Sequence, residues 1–160
     1  MLFSIFNSER NIFRLLGSKT PVAVGYVKGN SENPKLKGSV KFYSIPEGTI
    51  VVSEIFYLPE TKTNFFAQHI HENGDCEKDF SLCGGHYNPK SVEHPCHSGD
   101  LPPLLSNQGY SWQATLDNRF SINEIIGKSY IIHKNPDDFK TQPSGDSGEI
   151  IACGIIEKPM

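Results

Sequence analysis

The sequence lacks any apolar run of membrane-spanning length, and it lacks a basic patch. A spanning helix needs about 20 consecutive, mostly apolar residues, and no segment approaches that length. The 15 Lys and Arg are mixed with 18 Asp and Glu, which gives a formal charge of −3 at pH 7. Because nucleic-acid partners require clustered positive charge, we expect neither a membrane nor a nucleic acid as a partner.

The N-terminus lacks the basic residues that open a secretory signal. It begins with the short apolar stretch 1–6, followed by Asn-Ser-Glu-Arg at 7–10. We therefore expect a cytoplasmic protein, or an extracytoplasmic one from which a leader was removed. Repeats and low-complexity tracts are also missing, and 160 residues suffice for one domain with a real core. The even count of four cysteines leaves the redox compartment open.

Short apolar segments bounded by turn residues dominate the chain after Pro21. Turn sequences such as Gly-Asn at 29–30 and Pro-Glu-Gly at 46–48 separate them, which is typical of strands joined by tight connections. Strands at this spacing predict an all-β fold, an antiparallel sandwich or barrel. The predicted strands are residues 22–27, 38–43, 49–57 and 64–71, with later ones near 110–116, 129–133 and 149–156.

The segment before these strands has a different pattern. Residues 8–17 predict a short helix, with Ser8 as its cap, an apolar side, and Gly17 at its end. We interpret residues 1–20 as an N-terminal extension and 21–160 as the domain proper. The helix could pack on its own domain, cover a sheet edge, or dock a second subunit.

Two segments without strand patterns, 72–107 and 134–148, are unusually long. Loops of this length in compact domains are mostly functional or disordered. The first contains three histidines, three cysteines and Asp100. A metal together with a disulfide would order such a segment.

Histidine is the residue type that points to chemistry. Side chains two apart on a strand share a face, so His69 and His71 can offer two imidazoles to one ion. Imidazole binds both copper and zinc well. Two metals fit the full set better than one, and the six histidines of the chain are His69, His71, His86, His94, His97 and His133.

Taken together, these residues resemble the copper/zinc superoxide dismutase family. Each matching segment is a weak signal alone, but their joint order and spacing are specific. The segments are HIHENGDC at 69–76, GGHYNP at 84–89, HSGDL at 97–101, IIGKS at 125–129 and IACG at 151–154, with His133 followed by Asp137-Asp138. The resemblance implies an eight-stranded Greek-key β-sandwich or barrel with two long functional loops.

The resemblance also implies a role for each site residue. Copper would be held by His69, His71, His86 and His133, and zinc by His86, His94, His97 and Asp100. His86 would join both metals through its two ring nitrogens and exchange a catalytic proton. Asp137 would orient one ligand histidine on each metal, and Cys76 would form a disulfide with Cys153. The implied activity is disproportionation of superoxide to oxygen and hydrogen peroxide, by a monomer or homodimer.

The remaining cysteines, Cys83 and Cys96, allow two interpretations. They could form a second disulfide inside the loop, or they could join His86 and His97 in a competing thiolate zinc site, since Cys83-x-x-His86 has ligand spacing. A thiolate site would remove His86 from its bridging role. We therefore predict the disulfide.

Two positions depart from the family pattern. Only Pro95 and Cys96 separate His94 from His97, a shorter stretch than is usual, so a tight turn through Pro95 must aim both rings at one zinc. The family's usual arginine, three residues before the last-strand cysteine, is replaced by Ile150.

The missing arginine bears on activity, because a cation beside copper attracts an anionic substrate. Lys134 and Lys140 are the candidate replacements for anion guidance, whereas Glu149 adds charge of the wrong sign. We expect a working dismutase of altered efficiency. The alternative is a non-enzymatic copper- and zinc-binding protein on a dismutase-like scaffold.

Overall fold

In the computed structural model, residues 12–159 are described. They form eight strands, two short helices and a single 3₁₀ turn at Lys78–Phe80. The helices are α1 (Ile12–Ser18) and α2 (Ile122–Ile125), and the strands are β1 (Ala23–Gly29), β2 (Lys37–Ile45), β3 (Gly48–Phe56), β4 (Phe65–His71), β5 (Asp100–Leu105), β6 (Tyr110–Asp117), β7 (Ser129–His133) and β8 (Ile150–Glu157).

The strands form one antiparallel sheet in the order β5-β4-β7-β8-β1-β2-β3-β6. Its two edge strands, β5 and β6, also contact each other, so the sheet nearly closes into a barrel. Strands distant in sequence lie side by side, β4 beside β7 and β3 beside β6, as in a Greek key. The predicted all-β antiparallel class is confirmed.

The two faces of β4 and β7 have different roles. Ile70 of β4 and Tyr130 and Ile132 of β7 point into the hydrophobic core. The alternating positions, including His69 and His71, point to the other face of the same strands. These outward residues are nevertheless buried, because the two long loops fold over them.

Strand β5 was not predicted. It contains Pro102 and Pro103, and proline cannot donate a hydrogen bond to a strand ladder, so the sequence argues against a strand. The segment lies at an edge of the sheet, where its pairing with β4 fixes it, Leu105 opposite Phe65 and Asp100 opposite His69. Tertiary pairing thus overrides the local signal.

Helix α1 overlaps the predicted helix at 8–17; the residues before Ile12 lie outside the described part of the chain. Leu16 packs against Tyr43, Ile50 and Val52, so the helix covers part of the outer face of β2 and β3. Within residues 12–159, no helix has the length and apolar character that crossing a bilayer requires.

Candidate metal centre

Four buried histidines converge on the outer face of β4 and β7. His69 and His71 lie on β4, and His133 ends β7. His86 comes from the first long loop, which forms an isolated antiparallel bridge with His71 at this point. One ring nitrogen from each histidine lies within 4.8 Å of the others. This spacing suits one ion, since two nitrogens on opposite sides of an ion stand about 4 Å apart.

Hydrogen bonds from the other ring nitrogens set the direction of three rings. His71 Nδ1 lies 2.8 Å from the carbonyl oxygen of Gly84, and His133 Nδ1 lies 3.0 Å from that of Gly148. Donation to these carbonyls leaves a lone pair on Nε2 of each ring, and the two Nε2 atoms are 3.4 Å apart. His69 is turned the other way, because its Nε2 donates to Asp137 Oδ2 at 2.9 Å.

Burial keeps these histidines neutral. Loss of solvent, together with the charge of neighbouring histidines, lowers the pKa of His71 to about 2. Burial likewise lowers the pKa of His133 to about 3 and that of His69 to about 4. Neutral imidazole is the form that binds a metal, so at neutral pH all three rings are available as ligands.

A second cluster, next to the first, contains a carboxylate. Asp100 Oδ1 lies 2.7 Å from His86 Nδ1, and Asp100 Oδ2 lies 3.1 Å from His94 Nδ1 and 3.3 Å from His97 Nδ1. One ligand atom from each of these four buried residues lies within 4.8 Å of the others. His86 belongs to both clusters, with Nδ1 toward Asp100 and Nε2 left for the four-histidine cluster.

Asp137, from the second long loop, connects the two clusters. Its Oδ2 accepts from His69 Nε2 and its Oδ1 from His94 Nε2, both at 2.9 Å. Burial alone would raise the pKa of Asp137, but hydrogen bonds from His69, the Phe139 amide and His94 lower it to about 2. Gly145 makes room for this contact, because a Cβ atom there would clash with Asp137 Oδ1.

The clusters have the unsatisfied atoms that a metal would satisfy. In the described part of the chain, four buried ring nitrogens without a hydrogen bond belong to these two clusters: His69 Nδ1, His86 Nε2, His94 Nδ1 and His97 Nδ1. Leaving such atoms unsatisfied costs about 1–3 kcal/mol each. Four imidazoles suit copper, and three imidazoles with a carboxylate suit a closed zinc site. The residues present therefore fit both metals.

The short stretch between His94 and His97 forms the expected tight turn, in which the Cys96 amide donates to the Glu93 carbonyl oxygen at 2.9 Å. The sequence analysis missed Arg119, which supports this segment from outside. Arg119 pairs with Asp117 at 2.6 Å and donates to the carbonyl oxygens of His97, at 3.1 Å, and of Asp100. Its acceptors on the loop are backbone atoms, so no sequence pattern marks it.

Two of the four cysteines form the predicted disulfide. Cys76 and Cys153 are bonded across a sequence separation of 77 residues. The bond ties the first long loop to β8, which lies beside β7 in the sheet.

The predicted disulfide between Cys83 and Cys96 is wrong, since both cysteines are free. Cys83 is buried in an apolar cluster with Phe80, Ile131 and Cys153, and its sulfur lies 3.3 Å from His71 Nδ1. Cys96 is exposed in the turn between His94 and His97. The fold thus places the two thiols in different surroundings, and neither belongs to the two ligand groups above.

The candidate residues for anion guidance differ in their surroundings. Lys134 pairs with Glu149 at 2.6 Å, and this hydrogen bond raises the pKa of Lys134, so Glu149 offsets its charge. Lys140 is exposed in the second long loop. Ile150 lies opposite His133 in the β7–β8 register and packs on the apolar cluster that contains Cys83. The residue in the arginine position is therefore next to the four-histidine cluster.

Comparison with known proteins agrees with this geometry. Residues 36–156 match the family model described as copper/zinc superoxide dismutase. The chain is 29% identical over 144 residues to Superoxide dismutase [Cu-Zn] 1 of Aquifex aeolicus, covering 80% of this chain and 83% of the relative. It is 31% identical over 132 residues to Superoxide dismutase [Cu-Zn] of Legionella pneumophila, covering 78% and 80%.

An eight-stranded antiparallel barrel with two adjoining histidine clusters defines the class as a β-barrel metalloprotein. With a family match over most of its length and relatives aligned over most of theirs, the chain belongs to the copper/zinc superoxide dismutase family.

Proposed function

We propose that this protein disproportionates superoxide to oxygen and hydrogen peroxide at a copper/zinc centre. The observation that carries the proposal is the position of one ring. His86 has one nitrogen in each ligand cluster, Nδ1 beside Asp100 and Nε2 without a hydrogen bond. A single imidazole placed in this way can join two metals.

The ligands in this proposal are the members of the two clusters, each of which offers one ligand atom to its cluster. Copper would be held by His69 through Nδ1 and by His71, His86 and His133 through Nε2. Zinc would be held by the Nδ1 atoms of His86, His94 and His97 and by the Asp100 carboxylate. Asp137 keeps the rings of His69 and His94 in the required orientation, as carboxylates beside metal-bound histidines do.

The chain's own residues contribute orientation, exclusion of water and a proton. Copper, when bound, supplies one-electron redox chemistry, which turns two superoxide ions and two protons into one oxygen and one hydrogen peroxide. His86 Nδ1 stays on the Asp100 side, so Nε2 is the atom that takes up a proton and passes it on. The other three rings of the four-histidine cluster remain neutral because burial lowers the pKa values of His69, His71 and His133.

We expect guidance of the substrate to be reduced or to come from other residues, because Ile150 replaces the family's usual arginine. Ile150 adds no charge beside the four-histidine cluster, and Glu149 offsets Lys134. Lys140 is the better candidate for attracting the anion. Local positive charge changes association rates by about 10-fold to 1000-fold. The replacement of the arginine by Ile150 should therefore affect the catalytic rate more than metal binding.

The test is to load purified protein with copper and zinc and to measure superoxide removal against metal content. We expect one copper and one zinc per chain, and catalysis that depends on copper. Protein loaded with zinc alone is the matched control and should be inactive. Stoichiometric copper without catalysis would favour the alternative, a non-enzymatic copper- and zinc-binding protein, for which the loss of the arginine at Ile150 is the supporting observation.

A further inference from the structure

The second long loop holds His94 at two separate points. One is the ring, whose Nε2 donates to Asp137 at 2.9 Å. The other is the backbone, where the Gln142 side chain makes two hydrogen bonds. Its Oε1 accepts from the His94 amide at 3.0 Å, and its Nε2 donates to the His94 carbonyl oxygen at 2.7 Å.

This pair of hydrogen bonds requires a side-chain amide. Gln142 must present an acceptor and a donor side by side, which only glutamine and asparagine do among the common side chains. Asparagine is one methylene shorter. The Gln142 amide therefore pairs with the backbone of His94 as a neighbouring strand would, in a segment that lies outside the described strands.

The other histidines of the carboxylate cluster are held differently. The His97 amide donates to Asp100 Oδ2, in its own segment, at 2.9 Å, and the His97 carbonyl oxygen accepts from Arg119 at 3.1 Å. His86 forms a β-bridge to His71. For His94, the amide and the carbonyl both meet Gln142 from a loop 48 residues further along the chain. The backbone position of His94 thus depends on the second loop.

From these contacts we propose that Gln142 is a positioning residue for the carboxylate cluster. It fixes the His94 backbone so that Nδ1 faces Asp100, and it makes zinc binding depend on the fold of the second loop. This inference rests on the proposed assignment of zinc to that cluster. The inference predicts that loss of Gln142 weakens zinc binding more than copper binding, because Gln142 makes no such contact with His71 or His133.

The experiment compares Gln142→Ala and Gln142→Glu with Glu93→Ala, an exposed residue next to His94. Zinc affinity is measured by competition with a chelator, copper affinity likewise, and Co²⁺ is used as a spectroscopic probe of the carboxylate cluster. Gln142→Ala should weaken zinc binding by about 10-fold or more, as removal of groups that orient metal ligands commonly does. It should also change the visible Co²⁺ spectrum, with copper affinity nearly unchanged.

Gln142→Glu keeps the acceptor for the His94 amide but loses the donor. Its zinc affinity should therefore lie between those of Gln142→Ala and Glu93→Ala. Equal zinc affinity in Gln142→Ala and Glu93→Ala would overturn the inference. So would a parallel fall in copper affinity and thermal stability, which indicates general loosening.

Asp100→Ala separates this inference from the ligand assignment. If Asp100→Ala abolishes zinc binding and Gln142→Ala leaves it intact, only the inference about Gln142 fails. If zinc binding survives Asp100→Ala, the assignment of zinc to this cluster fails, and the inference fails with it.

Discussion

The two ligand clusters share a ring but are built in different ways. In the four-histidine cluster, His69, His71 and His133 lie on adjacent strands whose ladder fixes their spacing. In the carboxylate cluster, His86, His94 and His97 come from a long loop, and Asp100 starts edge strand β5. The first cluster is thus placed by the sheet itself. The residue positions in the second cluster depend on side chains outside the loop that hydrogen-bond to the loop backbone.

This difference shows where positional accuracy comes from. A β ladder pairs backbone groups at regular intervals, so side chains two apart are placed without further help. A loop has no such ladder, and its backbone groups need other partners. Here Arg119 and Gln142 supply hydrogen bonds to backbone groups of the loop, and the Cys76–Cys153 disulfide ties the loop to β8 covalently. We therefore expect metal binding at the carboxylate cluster to be more sensitive to distant substitutions than metal binding at the four-histidine cluster.

The largest effect is expected where the two clusters meet. His86→Ala removes the shared ring, so both metals should bind more weakly. Dismutation should fall by about 100-fold or more, the low end of what a proton-transferring residue contributes. Metal content and superoxide removal are the measurements. His97→Ala, which touches only the carboxylate cluster, is the comparison. Normal loading of both metals in His86→Ala would contradict the shared-ring arrangement.

Removal of the disulfide tests whether the carboxylate cluster depends on anchoring of the first long loop. Replacing both Cys76 and Cys153 by Ser should lower the free energy of unfolding by about 4.5 kcal/mol, the chain-entropy value for a loop of 77 residues. Zinc affinity should fall more than copper affinity, because the bond anchors the loop. Cys96→Ser, at an exposed free cysteine, is the control in urea unfolding. Equal losses of both affinities would remove the distinction between the clusters.

Acid should destabilise the metal-free protein because the buried rings of the four-histidine cluster are neutral in the folded state. The pKa of His69 falls from 6.5 to about 4 on folding, and those of His71 and His133 fall further. Between these values the unfolded chain binds protons that the folded chain does not, so stability falls as pH drops from about 6.5 toward 4. Urea unfolding at pH 7, 6 and 5 measures a loss of a few kcal/mol.

His133→Asn should make this pH dependence shallower, because one buried imidazole is removed. The free energy of unfolding of metal-free His133→Asn at pH 7 measures the effect of the substitution itself. A free energy of unfolding that does not change between pH 7 and pH 5 would contradict the burial of neutral histidines.

The smallest effect is expected at the arginine position. Ile150→Arg places a cation opposite His133 in the β7–β8 register. The dismutation rate should rise several-fold and become more sensitive to salt, since added ions screen the attraction. Ile150→Gln is the uncharged control. If the rate and its salt dependence do not change, guidance comes from elsewhere, with Lys140 the next residue to replace.

Several of these features could be predicted from the sequence. The alternation around His69 and His71 predicts a shared strand face, because the period of two is a local property of extended backbone. The order of the histidines, with Asp137 and the Cys76–Cys153 pair, was read through the family resemblance. Strand β5 was missed because Pro102 and Pro103 argue locally against a strand. Cys83 and Cys96 were paired wrongly because excluding a thiolate zinc site does not show that the two sulfurs lie close to each other.

The amino-acid order alone was enough to specify every strand except β5, which face of β4 carries imidazoles, and which residue types could hold two metals. These are short-range consequences of side-chain alternation and ligand chemistry. The tertiary structure alone decided that Gln142 and Arg119 hold the loop and that Cys83 is a free thiol beside His71. Such contacts join residues far apart in the chain, and only the folded, nearly closed barrel brings them together.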